Sequence, residues 1–292
     1  MGFDTDSLSK ISDREDNHTM STSSSREEWA ARAASWDKHA PEGASVTDEL
    51  NQILMEITGI ESGDDVLDLA SGSGEPAISI ALKVGAKGSV TALDAHDEML
   101  AGARRRAAKL ELGNMAFEIA RMEDLPFADD TFDAVTCRFG LQSSEDAVQT
   151  LREARRVLKP AGKAGFMTHG VEERNTLSAV LAKVIHGTLP EESGGTPPRR
   201  LRFHDAGSLR AVFDAAGFSE VGEREVLRTV IREGGSRFWR SLLERRYASR
   251  LKALDAEGRS RLDAAIDEAF AVYLAGDRYE LQSADMVAWG TK

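Results

Sequence analysis

The chain has 292 residues, enough for one α/β domain with additions or for two modest domains. Its 37 basic and 49 acidic residues leave a formal net charge of −12, so we expect no nucleic-acid partner and no anionic-membrane surface, because both need a basic patch. The single cysteine excludes an internal disulfide framework and a cysteine-based zinc site, and no metal site is predicted.

The N-terminal part of the chain predicts a tail followed by a lid. Residues 1–26 are rich in Ser, Asp, Glu and Thr and contain little apolar material to offset the entropy of ordering, so we expect a disordered tail. Residues 27–60 predict a helical lid, in which a short helix with Trp29 and Trp36 precedes a second helix ended by Gly59. The chain shows no signal-peptide pattern and no apolar run near the ~18 residues of a membrane span, so we expect a cytoplasmic protein.

The next stretch predicts a strand, a glycine-rich turn and a helix. Residues 66–69 form a short apolar run, Gly72 and Gly74 follow, and apolar residues recur at helical spacing after Pro76. This arrangement brings backbone N–H groups and a helix N-terminus against a cofactor. The glycine spacing matches a dinucleotide fingerprint, and Asp94 lies at the distance expected for an acid that holds ribose hydroxyls. Any adenosine-bearing cofactor would use such an acid, so the turn alone leaves the cofactor open.

Strands and helices alternate as far as Gly170. Strands are predicted over 89–94, 115–119, 132–138 and 164–168. Asp97 and Ser144 are predicted to cap the helices between them. This alternation indicates a mostly parallel sheet covered on both faces.

The pattern loosens after Gly170. We expect helices over 177–185 and 205–216, a long strand over 220–232, two amphipathic helices over 236–275 and a terminal strand over 286–292. The 236–275 segment is predicted to form a helical cap.

A basic cluster lies within this predicted cap. Its members are Arg240, Arg245, Arg246 and Arg250. We interpret the cluster as a solvated face paired with nearby acids such as Glu244. An anionic substrate such as a diphosphate is the alternative.

Two further motifs separate the candidate cofactors. Residues 123–135 read EDLPFADDTFDAV, and residues 151–162 read LREARRVLKPAG. Together with the glycine turn and Asp94, they resemble class I S-adenosylmethionine-dependent methyltransferases, of the type 11 branch that includes the ubiquinone and menaquinone C-methyltransferases. The resemblance runs from about Trp29 to the C-terminus.

The resemblance implies a fold. It is an α/β fold with a Rossmann-like, seven-stranded, mostly parallel sheet that ends in a C-terminal antiparallel hairpin. An N-terminal helical lid and a late helical insertion would be added to it. Residues 61–292 would form the methyltransferase domain.

The resemblance also implies a set of residues that bind S-adenosylmethionine. Asp68 would orient the turn and lie near the methionyl amine, Asp94 would hold the ribose, and Arg138 would face the methionyl part. The implied set is Asp68, Ala70, Gly72, Ser73, Gly74, Asp94, Ala95, Met99, Arg121, Met122 and Arg138. The chain departs from many relatives at Arg121, where a small polar residue or an acid is common, and at Ala70, where glycine is common.

Methyl transfer from a sulfonium is an in-line displacement, so alignment and water exclusion do most of the work. A base is needed only when the acceptor is not already nucleophilic, and His169, which follows the fifth strand at the carboxyl edge of the sheet, is the candidate. The candidate acceptor contacts are Trp36, His39, Phe139 and Gln142.

We therefore predict a methyltransferase that acts on carbon or oxygen of a small hydrophobic acceptor, either quinone-like or a secondary metabolite. One alternative is an NAD(P)-dependent oxidoreductase that uses the same glycine turn. Another is a relative that binds the cofactor without transferring its methyl group. Whether the chain forms a homo-oligomer stays open.

Overall fold

In the computed structural model, which describes residues 49–189 and 202–292, the strands pair into one eight-stranded sheet. The strands are β1 (Asp65–Leu69), β2 (Ser89–Asp94), β3 (Met115–Ile119), β4 (Phe132–Arg138), β5 (Leu158–His169), β6 (Ser219–Glu233), β7 (Leu274–Ala275) and β8 (Arg278–Thr291). The helices are α1 (49–58), α2 (Ala77–Val84), α3 (Asp97–Lys109), α4 (Ala147–Val157), α5 (Thr176–Thr188), α6 (Ser208–Ala215), α7 (Arg240–Arg246), α8 (Ala248–Lys252) and α9 (Ala256–Ala271). The sheet order is β3-β2-β1-β4-β5-β8-β6, with the two-residue β7 beside β8.

Strands β1 to β5 run parallel, whereas β8 runs antiparallel to both of its neighbours, β5 and β6. Val66 and Leu67 point to opposite faces of β1, and both are fully buried because helices cover the sheet on both sides. The predicted Rossmann-like sheet with an antiparallel C-terminal hairpin is confirmed, and β7 is an addition to it. The strand order reverses between β1 and β4, so a ligand is expected beyond the carboxyl ends of these strands.

Helix α1 packs directly on the sheet. Its residues Leu50 and Leu54 are buried against Met167 of β5 and Val287 of β8. Gly59 ends the helix with φ +68°, a left-handed conformation that glycine adopts without strain. The described part of the predicted lid segment is therefore built into the core around β5 and β8.

Both predicted helix caps are wrong. The N-cap of α3 is His96, and Asp97 is the first helical residue. The N-cap of α4 is Asp146, whose Oδ1 accepts a 2.9 Å hydrogen bond from the backbone N–H of Gln149. The hydroxyl of Ser144 donates instead to a carboxylate of the loop before β4. Several residues near a helix start can cap it, and contacts with distant segments decide which one does.

The late part of the chain differs most from the expectation. Three helices, α7, α8 and α9, occupy the segment where two were predicted, and β8 begins at Arg278 rather than near residue 286. Strand β8 pairs with β6 over almost its whole length, from Ser219↔Thr291 to Glu233↔Arg278. In the first half of β8, exposed residues alternate with half-buried or buried ones, so this part lacks the continuous apolar run by which a buried strand is recognised.

The predicted cap is a helical unit with its own apolar cluster. Trp239, Leu262 and Phe270 pack there against Leu181 of α5. Cap arginines pair with acids of other elements: Arg240 Nη2 lies 2.8 Å from Asp263 Oδ2, and Arg246 Nη1 lies 3.2 Å from Glu172 Oε1. Two of the four arginines therefore pair with acids, although not with Glu244. Arg245 donates instead to the Ser241 hydroxyl, and Arg250 donates to the carbonyls of Ile185 and Leu189.

Candidate active site

The carboxyl ends of four strands bring the main predicted site residues to one edge of the sheet. Asp68 lies near the end of β1, and Asp94, Arg138 and His169 are the last residues of β2, β4 and β5. The register places Asp68 between Ala92 of β2 and Thr136 of β4. This edge includes the point between β1 and β4 where the strand order reverses, which is where open α/β sheets bind ligands.

The glycine turn between β1 and α2 passes close to α3. Gly72 and Gly74 have φ of +53° and +106°. A Cβ on Gly74 would lie 2.8 Å from Ile78 Cδ1 and 3.1 Å from Ala103 Cβ, so a side chain there would displace the turn. Ala70, where relatives commonly have glycine, also has a left-handed φ of +54°. The turn thus needs positive φ at three positions.

Asp68 is buried below this turn with one carboxyl oxygen unsatisfied. Its Oδ1 accepts a 2.7 Å hydrogen bond from the Thr136 hydroxyl. Its Oδ2 has no hydrogen-bond partner within the described part of the chain. Burial raises the pKa of Asp68 to about 7. A buried carboxyl oxygen without a partner is costly, and a cationic donor such as an amine would satisfy it.

Asp94 connects the glycine turn to the start of α3. Its Oδ2 accepts a 3.0 Å hydrogen bond from the N–H of Gly72, and its Oδ1 accepts a 3.1 Å bond from the N–H of His96. Burial raises the pKa of Asp94, although these backbone hydrogen bonds act in the opposite direction. Each oxygen has a further lone pair, so the carboxylate can also accept from two hydroxyls of a ligand.

A polar network that sequence reasoning missed holds Arg138 in place. Arg138 Nη1 donates a 2.6 Å hydrogen bond to Asn51 Oδ1, and Asn51 Nδ2 donates a 2.8 Å bond to Glu75 Oε2. Arg106 Nη2 donates a 2.6 Å bond to Glu75 Oε1, and its Nη1 donates to the carbonyl of Ser73 at 3.0 Å. The position of Glu75 directly after the glycine turn was the one signal in the sequence that it belongs to the site. Its partners Asn51 and Arg106 lie on α1 and α3, so local sequence could not connect them to it.

Arg138 itself is a partly buried cation. Its Nε has no hydrogen-bond partner in residues 49–189 and 202–292. Burial lowers the pKa of Arg138, and the charges of Glu75 and Asp68 oppose this effect. A guanidinium with an unsatisfied donor suits a ligand carboxylate.

The residues predicted to contact adenine lie at the rim of the site. Arg121 is 56% exposed, and its Nη2 lies 2.8 Å from Glu145 Oε2. Its side chain is therefore already paired, which leaves the backbone of Met122 for a contact with a ligand. Met122 packs on the apolar cluster beneath it, and Met99 lies beside Gly72. Ala95 follows Asp94 directly and precedes α3.

The candidate base His169 stacks on Phe139, which is one of the predicted acceptor contacts. The Phe139 and His169 rings lie 4.2 Å apart at an interplanar angle of 15°. Gln142 is buried in the short turn after β4, and its Oε1 has no partner among the described residues. Trp36 and His39 lie outside the described residues.

Residues 49–189 and 202–292 contain no group of three His, Cys, Asp or Glu side chains that could hold a metal ion. No helix in these two ranges combines the length and the apolar character that crossing a bilayer requires. Cys137 is buried, and burial raises the pKa of its thiol, as expected for a core residue.

Comparison with known proteins gives a family match. The ubiE/COQ5 methyltransferase family model matches residues 46–191, half of the chain. The ubiquinone/menaquinone biosynthesis C-methyltransferase UbiE of Marinomonas sp. (strain MWYL1) is 33% identical over 172 residues, which are 55% of this chain and 68% of that protein. The UbiE of Rickettsia typhi (strain ATCC VR-144 / Wilmington) is 42% identical over 117 residues, and the chain spans only 46% of its length.

Solved structures agree with the fold. The BH2331 protein of Bacillus halodurans C-125 matches with a TM-score of 0.56 at 19% identity, covering 83% of this chain and 98% of that one. At this level of identity the likeness concerns the fold, and the reaction has to be argued from the site.

Proposed function

Because the chain belongs to the ubiE/COQ5 methyltransferase family, we propose that it transfers the methyl group of S-adenosylmethionine to a ring carbon of a small quinol. S-adenosylmethionine is the cofactor of this family, and it supplies an electrophilic methyl group on a sulfonium sulfur. The nicotinamide alternative is set aside because the matched family consists of methyltransferases.

The unsatisfied Oδ2 of Asp68 is the observation that carries the proposal. The methionyl amine of the cofactor is a cationic donor, and it suits a buried carboxyl oxygen that has no other partner. Arg138 offers a partly buried guanidinium to the methionyl carboxylate, and Asp94 offers two oxygens to the ribose. Donor and acceptor groups of the site thus match the polar groups of the cofactor.

The acceptor is argued from the chemistry of the transfer. Attack on a sulfonium methyl needs an electron-rich carbon, which a reduced 1,4-quinol has and an oxidised quinone lacks. The stacked pair of Phe139 and His169 offers a flat aromatic surface to such a ring, and His169 can take a hydroxyl proton. The names of the relatives point to the same class of acceptor.

Two measurements test the proposal. Calorimetry should detect binding of S-adenosylhomocysteine but not of NAD, and failure to bind S-adenosylhomocysteine would overturn it. Labelled S-adenosylmethionine should then methylate a chemically reduced 2-alkyl-1,4-naphthoquinone whose C3 carries hydrogen. If the protein binds S-adenosylhomocysteine but methylates no quinol, the alternative is favoured, namely that it binds the cofactor without transferring the methyl group.

A further inference from the structure

A carboxylate that sequence reasoning did not single out lies directly across from His169. Strand β8 runs antiparallel to β5, and the register pairs His169 with Asp285. The two side chains meet on one face of the sheet, with His169 Nδ1 3.5 Å from Asp285 Oδ1. This separation is longer than that of a formed hydrogen bond, and contacts between catalytic groups are often long before substrate binds and shorten in the complex.

The two oxygens of Asp285 have different surroundings. Its Oδ2 accepts a 3.0 Å hydrogen bond from Arg228 Nη2 and a 3.4 Å bond from the Ser283 hydroxyl. Its Oδ1 faces the ring of His169. The carboxylate is therefore oriented by donors on one side, and its other oxygen is directed at the imidazole.

Burying the ion pair of Asp285 and Arg228 costs desolvation free energy. The side chains of Asp285 and Arg228 are only 3% and 8% exposed. Replacing a buried ion pair by apolar side chains is often neutral or stabilising, so stability alone is a weak reason for it. The ion pair lies beside His169, whose side chain is 43% exposed. His169 is at the edge of the sheet where the candidate cofactor residues also lie.

The ring of His169 is held at its face as well as at its edge. Phe139 stacks on the face, and the N–H of Phe139 donates a 2.8 Å hydrogen bond to the carbonyl of Met167, which joins the ends of β4 and β5. With Nδ1 directed at Asp285, Nε2 lies on the opposite side of the imidazole. A ring fixed in this way has a defined donor and a defined acceptor.

We propose that Asp285, backed by Arg228, is a positioning residue that keeps His169 in the Nδ1–H tautomer and so leaves Nε2 as the base for the acceptor hydroxyl. This inference rests on the proposed function. In the reaction, Nε2 takes the hydroxyl proton of the quinol while the ring carbon bonds to the methyl carbon, and the S–C bond breaks with its electron pair staying on sulfur. The ring carbon then loses its hydrogen as a proton and the hydroxyl is restored, so one proton is released overall.

The tautomer can be measured without any turnover. Long-range ¹H–¹⁵N NMR of the full chain labelled with ¹⁵N-histidine distinguishes the two ring nitrogens, and His169→Gln assigns the signal. We expect Nδ1 to carry the proton in the unsubstituted protein. In Asp285→Asn the amide oxygen stays with Arg228, so the amide N–H₂ faces His169 and the proton moves to Nε2. An Nε2–H tautomer in the unsubstituted protein, or no change in Asp285→Asn, would overturn the proposal.

Kinetics separates positioning from structural damage. We expect His169→Gln and Asp285→Asn each to lower kcat by about 10²-fold, the lower end for general-base catalysis, with the KM for S-adenosylmethionine changed less than twofold. The double variant should be no slower than His169→Gln, because Asp285 acts only through that ring. Multiplied losses in the double variant would overturn the proposal. Glu280→Gln, an exposed acid on the same strand, is the matched control and should keep full activity.

The test still gives an answer if Asp285→Asn does not fold or if no quinol is methylated. If Asp285→Asn does not fold, Arg228→Lys retains the buried cation and should lower kcat in the unsubstituted background but not in His169→Gln. A protein that binds S-adenosylhomocysteine but methylates no quinol would contradict the proposed function. The NMR tautomer would still decide whether Asp285 holds His169.

Discussion

Asn51 of α1 accepts a 2.6 Å hydrogen bond from Arg138 at the end of β4, across 87 positions of sequence. The same amide donates to Glu75 beside the glycine turn, so one side chain links α1, β4 and the cofactor turn. This link makes α1 part of the site rather than only a support for it.

Asn51→Ala should therefore destabilise the protein and weaken cofactor binding together. The substitution leaves two partly buried charged groups, Arg138 and Glu75, without one partner each, at a cost of about 1–3 kcal/mol. Urea unfolding measures the loss, and calorimetry with S-adenosylhomocysteine measures the affinity. Gln52→Ala, an exposed position on the same helix, is the control and should change stability by less than about 0.5 kcal/mol. Equal effects of both substitutions would contradict the role of the network.

Asp94→Ala should weaken S-adenosylhomocysteine binding by about 1.5–3 kcal/mol, the range for hydrogen bonds to a charged group. The carboxylate both holds the N–H of Gly72 and offers oxygens to the ribose, so its loss affects the turn and the ligand. Calorimetry gives the dissociation constant directly. Asp97→Ala, three residues later and exposed, should leave the constant unchanged. An unaltered constant in Asp94→Ala would refute the ribose contact.

Asp68 should make stability fall as pH rises. Burial raises the pKa of Asp68 from 3.8 to about 7 in the folded protein, so between these values the folded state holds a proton that the unfolded state has lost. The free energy of unfolding then decreases with rising pH across this window. Asp68→Asn removes the ionisation. The free energy of unfolding of Asp68→Asn minus that of the unsubstituted protein should therefore be more positive at pH 8 than at pH 4.

Urea unfolding of both proteins at pH 4 and pH 8 checks this sign. Asp97→Asn, the same substitution at an exposed acid, is the matched control for replacing a carboxylate by an amide. The same ionisation favours the cationic amine of the cofactor, so binding near pH 6 should release a proton from Asp68. Calorimetry in buffers of different ionisation enthalpy should detect this proton in the unsubstituted protein and not in Asp68→Asn.

Gly74→Ala should disturb the turn and the cofactor together. The position has φ +106°, and the added Cβ would lie 2.8 Å from Ile78 and 3.1 Å from Ala103. A non-glycine residue in such a conformation costs about 1–3 kcal/mol before any clash is counted. Gly113→Ala is the matched control, because nothing lies within 4 Å of its Cβ and its φ is not positive. Urea unfolding and S-adenosylhomocysteine binding should both change in the first variant and stay near the unsubstituted values in the second.

Local pattern was a reliable guide where an element is short, apolar and flanked by clear turns. Strands β2, β3 and β4 begin and end at the residues that the sequence predicts, because each is a brief apolar run between polar loops. Strand β8 was predicted at half its length, since its first part is held by pairing with β6 more than by burial.

The cofactor could be predicted from the sequence because the residues that indicate it lie close together in the chain. Gly72, Gly74 and Asp94 lie within one strand–turn–helix–strand unit, so their spacing in sequence nearly determines their spacing in space. The capping errors at Asp97 and Ser144 show the limit of local reasoning. Similar side chains compete for a helix start, and contacts with other segments decide among them.

The fold class, the glycine turn, the acid at the end of β2 and the histidine at the end of β5 were predictable from the sequence alone. Their neighbours were not: Asn51 bonds Arg138, and Asp285 with Arg228 lies behind His169. Local pattern records which residues are buried and which backbone conformations are needed. The pairing of buried polar groups depends on the register of strands far apart in the chain, here the insertion of β8 between β5 and β6.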